Sequence, residues 1–139
     1  MTFKAGSGST ARTSRVAKYS RGIAIGAGAF FVLAGIMAMA SPRSFFDSFA
    51  TFEPYNQHFV QDIGAFQIGL GAVLLLAAFS QRADALSAAL IGVGIGSAAH
   101  VVSHVGGHDL GGKPATDIPM FIIVSILLLA AGIARLRAD

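Results

Sequence analysis

Residues 22–40 read GIAIGAGAFFVLAGIMAMA and contain no charged side chain. These nineteen residues, each rising about 1.5 Å in a helix, would span ~28 Å, close to the thickness of the hydrocarbon core of a bilayer. Because lipid offers no hydrogen-bond partner to an open backbone, such a stretch crosses a membrane as a helix. Ser41 and Pro42 follow it directly. The stretch therefore predicts a transmembrane helix that ends near Ala40.

Three further apolar stretches follow, at about residues 59–79, 85–104 and 118–134. The whole chain is 54% hydrophobic and only 12% charged, whereas an average soluble domain has roughly 25% charged residues. This composition excludes an ordinary soluble domain and intrinsic disorder. Because the connecting loops are short, successive helices should be antiparallel neighbours. The predicted fold is all-α: a four-helix transmembrane bundle with an up-down arrangement, in a multi-pass protein of the cell membrane.

The positions of the basic residues predict the domain organisation and the orientation. Residues 1–21 are rich in Gly, Ser and Thr and contain five of the ten Lys and Arg residues, so we expect a basic, flexible cytoplasmic tail before a membrane domain at 22–136. A basic segment beside an apolar helix is typical of contact with an anionic bilayer surface rather than with nucleic acid. With the N-terminus inside, eight basic residues lie on the inner side and two on the outer side, which favours cytoplasmic N- and C-termini.

A cleaved signal peptide is an alternative interpretation of the first span. Ala38-Met39-Ala40 before Ser41 resembles an A-x-A cleavage site. The apolar stretch is longer than the usual 7–15 residues of a signal peptide, so we favour a retained helix. The other three spans keep the same orientation in either case.

Four polar residues at the ends of the second and third spans form the candidate site. His58 and Asp62 are four residues apart, as are His100 and His104, so each pair shares one helical face. In antiparallel helices, His58 and His104 should lie at one level near the outer leaflet, with Asp62 and His100 one turn deeper. An Asp exposed to lipid at a helix centre costs about 2.5–3.5 kcal/mol, so Asp62 is expected to face the interior and pair with His100.

This cluster has three interpretations. Imidazole and carboxylate groups suit zinc, copper, iron or nickel, and two His from different helices can hold a haem. A His/Asp pair can also relay protons. The interpretation we favour is a buried hydrogen bond that holds two helices together. The chain has no cysteine, which excludes disulfides, thiol catalysis and thiolate-bound metals. No nucleophile–base pair, phosphate-binding loop or carboxylate dyad accompanies the cluster, so enzymatic activity is not predicted.

Small residues predict where helices approach each other. Gly92 and Gly96 share a face with His100, and Gly22 and Gly26 have the same spacing in the first span. Such pairs let another backbone come close. We favour packing within one chain over a face for a homo-oligomer. Further glycines of the first two spans are interpreted in the same way: Gly28, Gly35, Gly64, Gly69 and Gly71.

The first outer loop and a few polar residues allow local predictions. Phe45, Phe46 and Phe49 have the spacing of one helical face, so the loop is predicted to contain a short interfacial helix that serves as an aromatic belt, with a substrate lid as the alternative. Asn56 is a suitable N-cap for the second span. Gln67 is expected to pair with another helix, and Ser125 to bond back to its own.

The pattern Pro54-Tyr55-Asn56-x-His58-x-x-x-Asp62-x-Gly64-x-Phe66, followed by a short basic turn and a helix ending in His100-x-x-x-His104, resembles small four-helix bacterial membrane proteins that are broadly DoxX-like. The resemblance covers about residues 22–135. It implies a four-helix bundle in which the His and Asp residues belong together. It also implies a role beside quinone-linked redox enzymes, with a membrane-complex partner.

Three functions are thus expected in order of preference. The first is a non-enzymatic integral membrane protein whose His/Asp cluster near the outer leaflet is structural or binds a ligand. The second is a redox or quinone-linked membrane subunit that binds a metal or haem. The third is a small proton-coupled carrier.

Overall fold

The computed structural model describes residues 7–80 and 82–138. The described residues form five α-helices and no strand. Four of the helices are long and apolar enough to cross a membrane. The bounds of the five are α1 Ser7–Ala40, α2 Pro42–Phe45, α3 Gln57–Phe79, α4 Ala83–Gly106 and α5 Pro114–Leu136. Each predicted apolar stretch lies within one long helix, which confirms the all-helical class and the four candidate spans.

The first helix begins earlier than the composition predicts. α1 starts at Ser7, so residues 7–21, predicted to be a flexible tail, are helical, and residues 1–6 lie outside the described part of the chain. Adding residues to an existing helix gains one backbone hydrogen bond for each residue fixed, whereas starting a new helix is costly. The apolar segment thus extends its helix into a sequence without apolar periodicity. The prediction of a tail up to residue 21 is corrected to this extent.

Glycines bring α1 and α3 into backbone contact. A Cβ on Gly35 would lie 2.6 Å from the carbonyl oxygen of Gly64, and a Cβ on Gly71 would lie 2.6 Å from that of Gly28. Any larger residue would force the helices apart at these two points. The predicted packing role of these four glycines is confirmed. In these two contacts, the glycine with the higher number on α1 meets the glycine with the lower number on α3.

The contact between α4 and α5 follows the same principle with two glycines that the spacing pattern does not indicate. A Cβ on Gly94 would lie 2.9 Å from Leu129, and one on Gly132 would lie 2.7 Å from Ile91. Each glycine faces a large aliphatic side chain of the other helix. The contact is therefore a glycine-to-side-chain fit rather than the glycine-to-glycine contact of α1 and α3.

The glycine pairs with the most regular spacing are not in contacts between helices. A Cβ on Gly22, Gly26, Gly92 or Gly96 would have no heavy atom of another helix within 4 Å in the described residues. The predicted packing of these four within the chain is wrong, and so is that of Gly69, whose Cβ would likewise meet no other helix within 4 Å. The buried stripe of α4 passes through Leu90 and Val93, which leaves the Gly92 and Gly96 face outside the bundle.

The main core lies where all four long helices meet. Its most buried large side chains are Leu74, Leu90 and Leu128, each no more than 1% exposed. Ser20 of α1 is also buried, and its hydroxyl donates a hydrogen bond of 3.0 Å to the carbonyl of Ala131 in α5. The first helix is thereby joined to the last one close to the end at which α4 begins.

A smaller core at the opposite end holds the predicted loop helix. Phe45 and Phe46 are buried against Ala38 and Val60, so two of the aromatic residues expected in a surface belt are instead core residues. α2 continues into a π-helical segment, Phe46–Ala50. The short helix thus forms, and its place at the membrane interface stays a prediction.

Polar contacts fix the same loop. Arg43 lies 3.0 Å from Asp47 and 5.0 Å from the ring centre of Tyr55, and the hydrogen bond to Asp47 raises the already high pKa of Arg43. Asn56 Oδ1 accepts a 3.1 Å hydrogen bond from the backbone N–H of Phe59. This confirms Asn56 as the N-cap of α3.

Candidate functional site

The closest association of functional side chains is the pair His100 and His104 in the last two turns of α4. Their ring centroids are 4.6 Å apart, with one ring edge directed at the other face. Phe121 of α5 contacts both rings, with centroid distances of 4.6 Å to His100 and 4.9 Å to His104. Phe52, from the loop before α3, lies 5.5 Å from His104. The two imidazoles therefore lie in an aromatic group drawn from three parts of the chain.

Contacts between the two loops at this end hold Phe52 in place. The backbone N–H of Gly112 donates to the carbonyl of Thr51 at 3.3 Å. Lys113 Nζ donates to the carbonyl of Ser48 at 3.1 Å. Gly111 and Gly112 have φ of +125° and +81°, values that glycine adopts without strain. A Cβ on Gly112 would also lie 2.9 Å from the Phe52 ring. Position 112 therefore requires glycine both for its backbone conformation and for the space beside the ring.

His58 and Asp62 form a separate pair on α3. His58 Nε2 lies 3.6 Å from Asp62 Oδ2, and the two side chains are 87% and 54% exposed. Asp62 thus pairs with His58 on its own helix, and no ion pair or hydrogen bond joins it to His100 in the part of the chain described. The predicted Asp62–His100 pair and the burial of Asp62 are corrected accordingly.

The orientation of α3 explains this outcome. Gly64 and Gly71 must face α1 for the two backbones to meet, and residues two positions from Gly64 lie on the far side of a helix with 3.6 residues per turn. Asp62 and Phe66 are therefore turned outward, and Phe66 is 76% exposed. The close glycine contact, and not the pairing of polar side chains, determines the rotation of α3 about its axis.

The two pairs do not combine into a metal site. Within residues 7–80 and 82–138, no group of three or more His, Asp or Glu side chains is placed to hold a metal ion. His58 and Asp62 thus contribute nothing to the His100–His104 pair. What remains of the predicted four-residue cluster is a pair of imidazoles beside aromatic rings.

Several side chains at or near the site have roles that spacing alone does not indicate. Phe121 has no polar neighbour in sequence to mark it, and only the packing of α5 on α4 brings it to the imidazoles.

Gln67 lies on the buried stripe of α3, yet its Oε1 accepts no hydrogen bond from the described residues. The expected pairing of that oxygen with another helix is absent from this structure. Ser125 does bond back to its own helix, donating to Phe121 at 2.7 Å.

The arrangement defines the chemistry that the site can perform. Two neutral imidazoles offer one donor and one acceptor each, or two ligand nitrogens, and the aromatic rings offer flat apolar surfaces. A comparison with protein-family models, curated proteins and solved structures found no match for this chain. The resemblance to DoxX-like proteins therefore stays a prediction, and the site has to be interpreted from its own geometry.

Proposed function

We propose that the chain is a multi-pass integral membrane protein with cytoplasmic N- and C-termini and an up-down arrangement of its four long helices. Eight basic residues against two on the sides of the bilayer support the orientation. Opposite directions of α1 and α3 are supported by the pairing of Gly28 with Gly71 and of Gly35 with Gly64. The pairing of Gly94 with Leu129 and of Ile91 with Gly132 supports the same for α4 and α5.

Within this arrangement, His100 and His104 act as a non-enzymatic structural unit at the outer end of the bundle. The observation that carries this proposal is that Phe121 contacts both imidazoles while Phe52 contacts His104. The pair thus joins α4 to α5 and to the loop before α3. Ring contacts of this kind are worth about 0.5–1.5 kcal/mol each beyond the area they bury.

Substitution of single histidines tests the structural role. His104→Ala removes contacts to three rings and should lower the free energy of unfolding in detergent by roughly 1.5–4.5 kcal/mol, the sum of three such contacts. His58→Ala is the matched control, because His58 is 87% exposed and contacts no ring in the described structure. Its effect should stay within about 0.5 kcal/mol. Equal losses for the two variants, measured by thermal unfolding, would contradict the proposal.

Metal binding beside a redox enzyme is the second candidate function. Histidines four residues apart on one helix can direct two nitrogens to one ion, and imidazole suits copper, nickel or zinc. His100 is only partly covered, so a further ligand from solvent or from a partner has access to it. A haem held by His from two helices is less well supported, since the two histidines in contact, His100 and His104, lie on a single helix.

Titration with each metal ion separates the two candidates. If the pair binds metal, isothermal titration with Cu²⁺, Ni²⁺ or Zn²⁺ should show one site that His100→Ala abolishes and His58→Ala preserves. Binding retained in both variants would place the metal elsewhere. A purified protein with a Soret band would favour haem instead. The proton-coupled carrier has the least support, because Asp62 lies at the bundle surface with 54% of its side chain exposed.

A further inference from the structure

Three arginines from different elements line one small cavity at the end of the bundle where α4 begins. Arg21 comes from α1, Arg82 from the turn before α4, and Arg135 from the last turn of α5. The cavity has a volume of about 30 Å³. This is the opposite end of α4 from His100 and His104, so the cavity is independent of the site described above.

The cavity has the chemistry of an anion site. Arginine stays protonated in proteins, and its planar set of donors matches the oxygens of a phosphate group. Asp84 offsets part of the charge, with Oδ2 lying 3.5 Å from Arg82 Nη2. Ser80, which also lines the cavity, accepts a 3.1 Å hydrogen bond from the backbone N–H of Arg82. Its hydroxyl still carries a hydrogen that it can donate.

An apolar cleft lies along the same two helices, α1 and α5. It has a volume of about 220 Å³. Phe30 and Leu127 line it and are 51% and 49% exposed, so the cleft opens to the outside of the bundle. Further lining comes from Ile23, Ala27, Phe31, Val124 and Leu128.

One hydrogen bond joins α1 to α5 close in sequence to the linings of both the basic cavity and the cleft. Ser20 donates it to the carbonyl of Ala131. Arg21 directly follows Ser20, and Arg135 lies one turn past Ala131. From Arg21 to Ala27 the helix rises only about 9 Å. A molecule that reaches both places must carry a negative group at one end and a hydrocarbon chain beside it.

We propose that Arg21, Arg82 and Arg135 bind the phosphate of an anionic phospholipid whose acyl chain occupies the cleft between α1 and α5. Basic pockets between the ends of transmembrane helices are typical sites for anionic headgroups. A cleft that opens from membrane-spanning helices is surrounded by hydrocarbon, which excludes a soluble anion from that part of the site. The proposal requires that the helices span a membrane, and it does not depend on the function of the histidine pair.

Lipid binding is measured on the full chain in a neutral detergent. Native mass spectrometry and thermal unfolding are followed with phosphatidylglycerol, with phosphatidylcholine and with inorganic phosphate. We expect phosphatidylglycerol to bind and to raise the unfolding temperature, and the other two to do so weakly. Equal effects of both lipids would show that charge is not recognised. Equal effects of phosphatidylglycerol and inorganic phosphate would show an ion site without an acyl chain. Either result overturns the proposal.

A triple variant tests the arginines. Arg21→Gln/Arg82→Gln/Arg135→Gln should weaken phosphatidylglycerol binding by at least about 100-fold, because it removes three charge-assisted hydrogen-bond donors to the phosphate. The control, Arg12→Gln/Arg15→Gln/Arg137→Gln, removes the same charge from residues that do not line the cavity. Its loss should be below about tenfold. Equal losses in the two variants would assign the effect to general surface charge.

A second variant tests the cleft and does not alter any charge. Ala27→Leu adds bulk to the cleft wall, whereas Ala88→Leu adds the same bulk to an exposed position of α4 outside the cleft. Only Ala27→Leu should weaken phosphatidylglycerol binding. This pair decides the question if the arginine variant fails to fold, because unchanged binding in Ala27→Leu overturns the acyl-chain part of the site.

Discussion

Individual polar side chains inside the helices differ in whether a partner satisfies them. The buried hydroxyls of Ser20, Ser87 and Ser125 each donate to a backbone carbonyl at 2.7–3.1 Å. Gln67 differs from them, since its Oε1 is buried without a donor among the described residues. An unpaired buried acceptor costs about 1–3 kcal/mol in proteins. Gln67 is therefore a point of local instability in α3.

Removing the Gln67 amide should stabilise the protein. Gln67→Met keeps the length of the side chain and removes the unpaired oxygen, so we expect the free energy of unfolding in detergent to rise by about 1 kcal/mol. Gln61→Met is the control, because Gln61 Nε2 donates a 3.3 Å hydrogen bond to the carbonyl of Met39. That change should be neutral or destabilising. A lower unfolding temperature for Gln67→Met would show that the oxygen has a partner in the membrane.

The candidate site was only partly predictable at this scale. The four-residue spacing correctly places His100 and His104 together, and His58 with Asp62, because spacing along one helix is local geometry. Which of these faces meets another helix depends on the rotation of each helix. Contacts of Gly64 and Gly35, far along the chain from each other, set that rotation for α3. Local spacing contains no information about it.

At the scale of elements, the position of a glycine in the packing matters more than its spacing. Gly35→Ala would place a Cβ 2.6 Å from the Gly64 carbonyl, and forcing extra atoms into a tight contact typically costs 1–3 kcal/mol. Gly22→Ala, with no heavy atom of another described helix within 4 Å of its Cβ, should be neutral or gain up to about 1 kcal/mol from helix propensity. Thermal unfolding of both variants measures the difference. Similar changes of the same sign would contradict the described α1–α3 contact.

Element boundaries follow from the sequence wherever a local signal exists. The first and second spans end at Ala40 and Phe79 as predicted, since Pro42 and the polar residues after Phe79 stop the apolar pattern. The sequence does not predict the start of α1, because residues 7–21 have no such pattern. They are helical as an extension of the apolar segment that follows them. The sequence predicts α4 and α5 as neighbours but does not indicate the glycines of their contact, since Gly94 and Gly132 meet aliphatic side chains and have no glycine partner of matching spacing.

Across the whole molecule, the two ends of the bundle have opposite chemistry. One end joins the two loops around His104 and Phe52, with aromatic rings and with acidic side chains such as Asp47 and Asp109. The other carries Arg21, Arg82 and Arg135 around one cavity. Basic residues favour the cytoplasmic side of a membrane, so this asymmetry connects the packing of the helices to the proposed orientation. The distribution of basic residues can be obtained from the sequence alone, and the proposed orientation is argued from it.

Labelling of single cysteines tests the orientation directly. The chain has no cysteine, so any introduced one is unique. Asp109→Cys lies in the loop before α5, where the Asp109 side chain is 75% exposed, and Ala138→Cys lies after α5. Neither change removes a basic residue. In intact cells, a membrane-impermeant maleimide should label Asp109→Cys, and it should label Ala138→Cys only after lysis. The reverse pattern would show that the C-terminus is outside, and labelling of both positions in intact cells would mean that α5 does not cross the membrane.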